Sequence, residues 1–267
     1  MPPEHATFVG SIPEIYDRYL GPLFIVPYAR ELAARVSVDA GEQLLELACG
    51  TGLLTRELVA VLPPTATVEA TDLNEAMLAI AQARLAAPNV RWRPADAMAL
   101  PFDAGVFSVA VCGFGVMFFP DRVAAARQVR RTLKPGASYW FTVWASRAEN
   151  PVARLAHETI ASFFDDDAPS FSQTPFGYHD KSQIAADLRD AGFTSIDIET
   201  VDKHTDGMAA ADAAVGLVQG NPGVLAIRER ARTTPEAVTA AVADAIRREF
   251  RDGPVRSPMR AHVVHAR

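Results

Sequence analysis

Cysteine is scarce. The 267-residue chain has two, Cys49 and Cys112, which do not form a closely spaced metal-ligand pair and read as small buried residues rather than nucleophiles. Positive charge is also short: 26 Lys and Arg face 32 Asp and Glu, a formal net charge of −6. Binding to phosphate backbones wants a basic surface, so nucleic acid is not the expected partner. No apolar run approaches the ~20 residues needed to span a bilayer. The first eight residues contain Glu4 and no positively charged region before an apolar stretch, unlike a secretory signal. The expectation is a reduced, cytoplasmic protein with no membrane, nucleic-acid or metal partner. What is present, 49% hydrophobic and 22% charged residues, suffices for a sizeable core, and residues 1–267 read as a single domain.

Along the chain, residues 1–37 read as helical, with Gly21-Pro22 punctuating helices over Pro13 to Leu20 and Leu23 to Val36. Residues 38–145 then alternate strands and helices. Strands are expected at Gln43–Leu47, Thr67–Thr71, Val90–Arg93, Val106–Cys112 and Ser138–Trp144. Helices are expected at Leu53–Leu62, Asn74–Ala87 and Asp121–Leu133, the last stopped by Lys134-Pro135-Gly136. In residues 146–267, helices are expected at Pro151–Phe164 and Lys181–Ala191, a loop from Asp165 to Tyr178, and strands at Phe193–Val201 and Ala261–Ala266. An alanine-rich helical insertion occupies about 208–250, broken at Gly220-Asn221-Pro222-Gly223 and at Pro235. Strands alternating with helices imply βαβ units: an α/β, mostly parallel sheet with helices on both faces, and the segments above supply seven strands.

The chemistry concentrates in Glu46-Leu47-Ala48-Cys49-Gly50-Thr51-Gly52, with Asp72 twenty residues after Gly52. A strand, a glycine turn and a helix make a nucleotide-type pocket at the carboxyl end of a sheet. Glycines permit positive φ and close approach of a ligand to the backbone. An acid ending the next strand can accept hydrogen bonds from both hydroxyls of a ribose. The loop lacks the Gly-Lys-Ser/Thr ending of a P-loop and the three-glycine dinucleotide spacing. Glu46 would repel a pyrophosphate and suit an ammonium or sulfonium group, which favours S-adenosylmethionine over a nicotinamide dinucleotide.

Glu46 to Gly52 resembles the first motif of class I methyltransferases, and the chain resembles the ubiquinone/menaquinone-biosynthesis-like (methyltransferase type 11) small-molecule group in particular. Further matches follow in order: Thr71-Asp72-Leu73-Asn74-Glu75-Ala76-Met77-Leu78, then Asp96-Ala97 with Leu100-Pro101-Phe102, then Phe107 to Val111 (Ser108 standing where an acid is usual), then Leu133-Lys134-Pro135-Gly136. The resemblance implies that Gly50 and Gly52 line the methionine end of the cofactor, that the Ala48 backbone faces its amino group with Glu46 nearby, and that Asp72 binds the ribose. It also implies that Leu73 packs on the adenine, that Asp96 accepts from the adenine amino group beside the Ala97 amide, and that Cys112 and Gly113 lie beside the sulfonium. Tyr16 and Met77 join this cofactor set. For the fold, the resemblance implies a Rossmann-like seven-stranded sheet whose last strand is antiparallel, with helical lid and cap elements.

Methyl transfer is an in-line displacement that needs positioning and water exclusion, and a general base only where the acceptor must first lose a proton. Tyr16 and Tyr19, in a segment resembling the family's N-terminal lid helix, and His157 and His179 are the candidate catalytic residues; His204 also lies in a segment expected over the pocket. The signature Asn-Pro-Pro-Tyr of enzymes methylating base or glutamine amides is absent after the fourth strand. The stretch there is Cys112-Gly113-Phe114-Gly115-Val116-Met117-Phe118-Phe119-Pro120, and Phe163, Phe164, Phe171, Phe176 and Tyr178 add aromatics between strands five and six. An apolar or aromatic small molecule is the expected acceptor. A nicotinamide-dependent oxidoreductase, a non-catalytic S-adenosylmethionine-binding module and a protein methyltransferase stay open as alternatives, and the insertion over 208–250 could cap the pocket or form a homodimer face.

Overall fold

A strand buried on both faces reads as a near-continuous apolar run, and β1 (Gln43–Leu47) is buried at every residue but Gln43, its run interrupted by the single acid Glu46. In the computed structural model, which describes residues 8–165, 169, 173–205, 207–251 and 253–267, β1 lies in the interior of the sheet. It pairs in parallel with β2 (Thr67–Asp72) on one side and β4 (Phe107–Gly113) on the other. β3 (Val90–Pro94) extends the β2 edge, and β5 (Leu133–Trp144) follows β4. β7 (Pro258–Ala266) inserts antiparallel between β5 and β6 (Ile196–His204), which closes a seven-stranded order β3-β2-β1-β4-β5-β7-β6. The connections reverse direction between β1 and β4, and in open α/β sheets a ligand crevice forms at that point, outside the carboxyl ends of the strands.

Helices α3 (Leu53–Val61), α4 (Glu75–Arg84), α5 (Arg122–Thr132) and α7 (Lys181–Asp190) accompany the sheet. Several begin where a side-chain oxygen satisfies free amides of the first turn: Asn74 accepts from the Ala76 and Met77 amides, Asp121 from Ala124, and Asp180 from Ser182. Two core clusters form, one on each face of the sheet, with Cys112 in one and Cys49 in the other.

Two sequence expectations need correction. Gly21-Pro22 does not break the N-terminal helix. α1 (Ile12–Ile15) runs into a π-helix over Tyr16–Ile25 and on into α2 (Val26–Arg35). The wider π turn accommodates Pro22, and the Leu53 side chain packs into the space a Cβ on Gly21 would take, 2.4 Å from Leu53 Cδ1. Lys134-Pro135-Gly136 likewise lies within β5, because Leu133 already pairs with Phe107 and a register shift between Phe107 and Val109 absorbs the irregularity. The sixth strand also starts later than expected, at Ile196, and the last starts earlier, at Pro258.

Over the crevice lie α6 (Pro151–Ala161) and the helices of the insertion, α8 (Ala210–Gln219), α9 (Gly223–Arg230) and α10 (Pro235–Phe250). α8 seats directly on the π-helix: a Cβ on Gly216 would come within 2.9 Å of the Leu20 amide nitrogen and 3.0 Å of the Tyr19 carbonyl carbon. Both obstacles are backbone, so neither can rotate away. Gly216→Ala is therefore expected to push the cap off the lid and lower stability by about 1–3 kcal/mol, read as a lower unfolding midpoint by circular dichroism. An unchanged midpoint would show that this seam is loose.

Candidate active site

The loop after β1 is held by one half-buried acid. Asp72 Oδ2 accepts from the Gly50 amide and Oδ1 from the Asn74 amide, each at 2.8 Å, which joins the β1 and β2 loops. The Cys49 amide donates to the Thr71 carbonyl at 2.9 Å and strengthens the same joint. Ala48, Gly50 and Gly52 all adopt positive φ, +50°, +57° and +78°. At Gly52 a Cβ would press on Trp92 and Ala81, at 3.1 and 3.2 Å, so glycine answers both conformation and space.

Above this loop opens a cavity of about 740 Å³. Tyr16, Ala48, Gly50, Asp72, Leu73, Met77, Asp96, Ala97 and Gly113 line it. Leu73 is 61% exposed, an apolar side chain presented into the space rather than into the core. Asp96 is oriented by the Met98 amide, which donates to Oδ1 at 2.8 Å. Glu46, Gly52 and Cys112 lie behind the lining: Glu46 is 1% exposed and Cys112 fully buried. Neither Glu46 carboxylate oxygen has a hydrogen-bond partner among the described residues, nor do the neighbouring hydroxyls of Thr51 and Thr55.

Burial dominates the electrostatics here. It pushes the Glu46 carboxyl up to about 8, with the Asp72 charge adding. It also raises Asp72, against the backbone amides that stabilise its charge. Cys112 is pushed to about 12 and Cys49 upward, so both thiols stay protonated, as the sequence suggested. Tyr16 rises above its usual value through burial and the nearby Asp17 and Asp72 charges. Its segment is tied down by an ion pair at 3.0 Å between the buried Asp17 and Arg84 of α4.

The other end of the cavity is aromatic. Phe114 and Trp144 stack with centroids 4.1 Å apart, and Tyr28 meets both edge-on at 5.5 and 5.4 Å. Phe24 and Phe176 flank Trp144 at 6.0 Å each. Phe24, Phe114, Phe118, Phe119, Trp144 and Phe176 all face the cavity, and the insertion adds Leu217, Val218, Asn221, Gly223 and Ile227. His157 lines this end from α6.

Other candidates fall elsewhere. Tyr19 does not line the cavity; it packs at the α8 seam with the Arg18 guanidinium 5.1 Å above its ring. His179 is exposed, its Nδ1 2.8 Å from the Phe176 carbonyl, and His204 is exposed at the end of β6. Phe164 and Tyr178 are core residues, Phe163 packs against the core, and Phe171 lies outside the described residues. Sequence reasoning did not single out Trp144, Phe24 or Asn221. Trp144 carried a readable signal: it ends a central strand, where α/β sheets place their ligands.

The comparisons with known proteins agree with this geometry. Residues 28–216 match the family model described as the ubiE/COQ5 methyltransferase family. The chain belongs to that family. It is an S-adenosylmethionine-dependent methyltransferase, 28% identical over 190 residues to the demethylmenaquinone methyltransferase of Staphylococcus aureus, a match spanning 66% of this chain and 76% of that one. Among solved structures, the Haemonchus contortus phosphoethanolamine N-methyltransferase 2 bound to S-adenosylmethionine superposes with a TM-score of 0.60 at 17% identity, covering 97% of this chain and 57% of that one. An S-adenosylmethionine-dependent methyltransferase of Aquifex aeolicus gives 0.51 at 17% identity, covering 72% and 90%. At these identities the structural likenesses establish the fold. The family's cofactor fits the residues present: an orphaned acid behind the glycine loop suits a cationic ligand, and an exposed leucine beside two aspartates suits a nucleoside.

The orphaned acid has a pH consequence. Because the Glu46 carboxyl rises to about 8 on folding, from 4.5, the unfolded chain ionises first and folding loses stability as pH climbs through that window. Glu46→Gln is expected to match wild type below about pH 4.5 and to exceed it by a few kcal/mol above pH 8, measured by urea unfolding of the ligand-free protein across pH. Parallel curves would show that Glu46 is charged and compensated.

Proposed function

We propose that the enzyme transfers a methyl group from S-adenosylmethionine to a small, apolar or aromatic molecule by in-line displacement, acting in the cytoplasm as one domain. Residues 1–37 serve as its lid, 38–145 as its cofactor core and 146–267 as its acceptor-side half. The observation that carries this reading is the continuity of a single cavity from the glycine loop and its acids to the Phe114–Trp144 stack. When bound, S-adenosylmethionine supplies a methyl carbon already activated by its positive sulfur. Glu46, behind Ala48, balances the cation; Gly50, Gly52, Cys112 and Gly113 shape the methionine end; Asp72 takes the ribose; Leu73, Met77, Asp96 and Ala97 take the base; Tyr16 closes over them.

The aromatic wall holds an acceptor in line and excludes water, which supplies much of the rate enhancement for a displacement of this kind. The name of the S. aureus relative refers to demethylmenaquinone, and an acceptor of that apolar, aromatic kind suits the wall here. No helix among the described residues is long and apolar enough to cross a membrane.

Calorimetric titration with S-adenosylmethionine and S-adenosylhomocysteine tests the reading. Wild type is expected to bind both, and Asp72→Ala to bind about ten- to a hundredfold more weakly, as losing charged hydrogen bonds predicts. Equal affinities would remove Asp72 from the site, and no binding by wild type would sink the cofactor assignment.

A further inference from the structure

We propose that His157 takes a proton from the methyl acceptor, and that the acceptor therefore carries a dissociable hydroxyl on an aromatic or enolic frame. The proposal rests on the cofactor reading above. α6 turns one face to the cavity, Ala153, Ala156, His157, Ile160 and Ala161, at the helical spacing that puts His157 in the middle of the face. Its neighbours there are small or aliphatic, so the imidazole is the one acid–base group that this face offers. The titratable groups lining the rest of the cavity, Tyr16, Asp72, Glu75 and Asp96, come from the lid and from the ends of β2 and β3. The acceptor wall of Phe24, Phe118, Trp144, Phe176, Leu217 and Ile227 has none.

The setting keeps His157 a neutral base. Burial lowers its proton affinity below the usual histidine value, the Arg147 charge from the turn before α6 lowers it further, and Glu158 opposes. A neutral imidazole is the form that accepts a proton at neutral pH.

The acceptor class follows from the same chemistry. A neutral amine attacks with its own lone pair and sheds a proton afterwards. A hydroxyl is a poor nucleophile until its proton is leaving. In the step assigned here, that proton passes to an imidazole nitrogen, the oxygen lone pair forms the new bond to the methyl carbon, and the carbon–sulfur bond breaks with its electron pair staying on sulfur. The sulfonium becomes a neutral thioether, and the imidazolium returns its proton to solvent.

The test uses protein saturated with S-adenosylhomocysteine and two probes that differ by one proton, 4-nitrophenol and 4-nitroanisole. Bound 4-nitrophenol is expected to develop its phenolate absorbance about one pH unit lower with wild type than with His157→Gln, while 4-nitroanisole binds both proteins alike. In wild type, the His157 imidazole followed by NMR should gain a proton on adding 4-nitrophenol and not on adding 4-nitroanisole. This second measurement needs no variant to fold. Equal phenol ionisation in both proteins, or an imidazole that stays neutral, overturns the proposal. So does failure of both aromatics to bind while S-adenosylhomocysteine binds, an outcome that leaves the cofactor reading intact. Loss of S-adenosylhomocysteine binding in wild type overturns the cofactor reading instead.

Discussion

One carboxylate organises the site. Asp72 spends an oxygen on each of two loops, and those two hydrogen bonds fix where the β1 loop ends and where α4 begins. The glycine turn needs such a restraint. Three alternate positive-φ positions at Ala48, Gly50 and Gly52 would otherwise leave the loop among many conformers, and ordering each residue costs about 1–2 kcal/mol. Ala48 is the revealing member. A non-glycine residue in the left-handed region is strained by roughly 1–2 kcal/mol, and a larger side chain would also collide with Gly115, whose own absent Cβ would lie 2.5 Å from Ala48 Cβ. The β1 and β4 loops thus meet through two small residues, and neither can grow without moving the other.

The same logic runs through the aromatic end. Phe114, at φ +55°, is held in a conformation that an isolated phenylalanine avoids. Its compensation is visible: stacking on Trp144 and an edge contact from Tyr28, pairs worth about 0.5–1.5 kcal/mol each beyond their burial. The backbone amide of Phe114 is also claimed by Thr142, through the carbonyl at 3.1 Å and the hydroxyl at 3.2 Å. Strain at a strand end beside a cavity persists where the surroundings over-determine it. Here it sets a large ring where the core meets the cavity, buried on one side and lining the space on the other.

Much of this was legible in the sequence because it depends on local order along the chain. Strand, glycine turn, helix, strand and acid occur within about thirty residues, and their spacing survives whatever surrounds them. The strands of the sheet followed from the same alternation, whereas its antiparallel final strand was implied only by the family resemblance. What stayed hidden depends on contacts between distant segments. Gly21-Pro22 reads as a break unless Leu53 is known to press on it, and Gly216 reads as a weak spot in a helix unless the π-helix backbone is known to lie against it. Tyr16 and Tyr19 are indistinguishable in sequence. A π-helix turns by a different angle per residue than an α-helix, and it sends Tyr16 to the cavity and Tyr19 to the seam with α8.

The two ends of the cavity obey opposite electrostatic rules, and the fold keeps them apart. At the glycine loop, the Asp72 charge raises the buried Glu46 carboxyl beyond what burial alone does, an arrangement that costs stability while nothing positive lies between them. A cationic ligand reverses that sign, so the site is built to bind charge at the expense of the ligand-free fold. At the aromatic end, the lining offers a ligand area and shape and, from α6, one imidazole. An acceptor that binds there is selected by burial, and the polar event is confined to the single atom that reacts. The insertion makes this division possible: α8 rests on the lid at Gly216 while Leu217 and Val218, the next two residues, face the cavity. A change in that seam would therefore be felt at the acceptor end first, and at the glycine loop only through the lid.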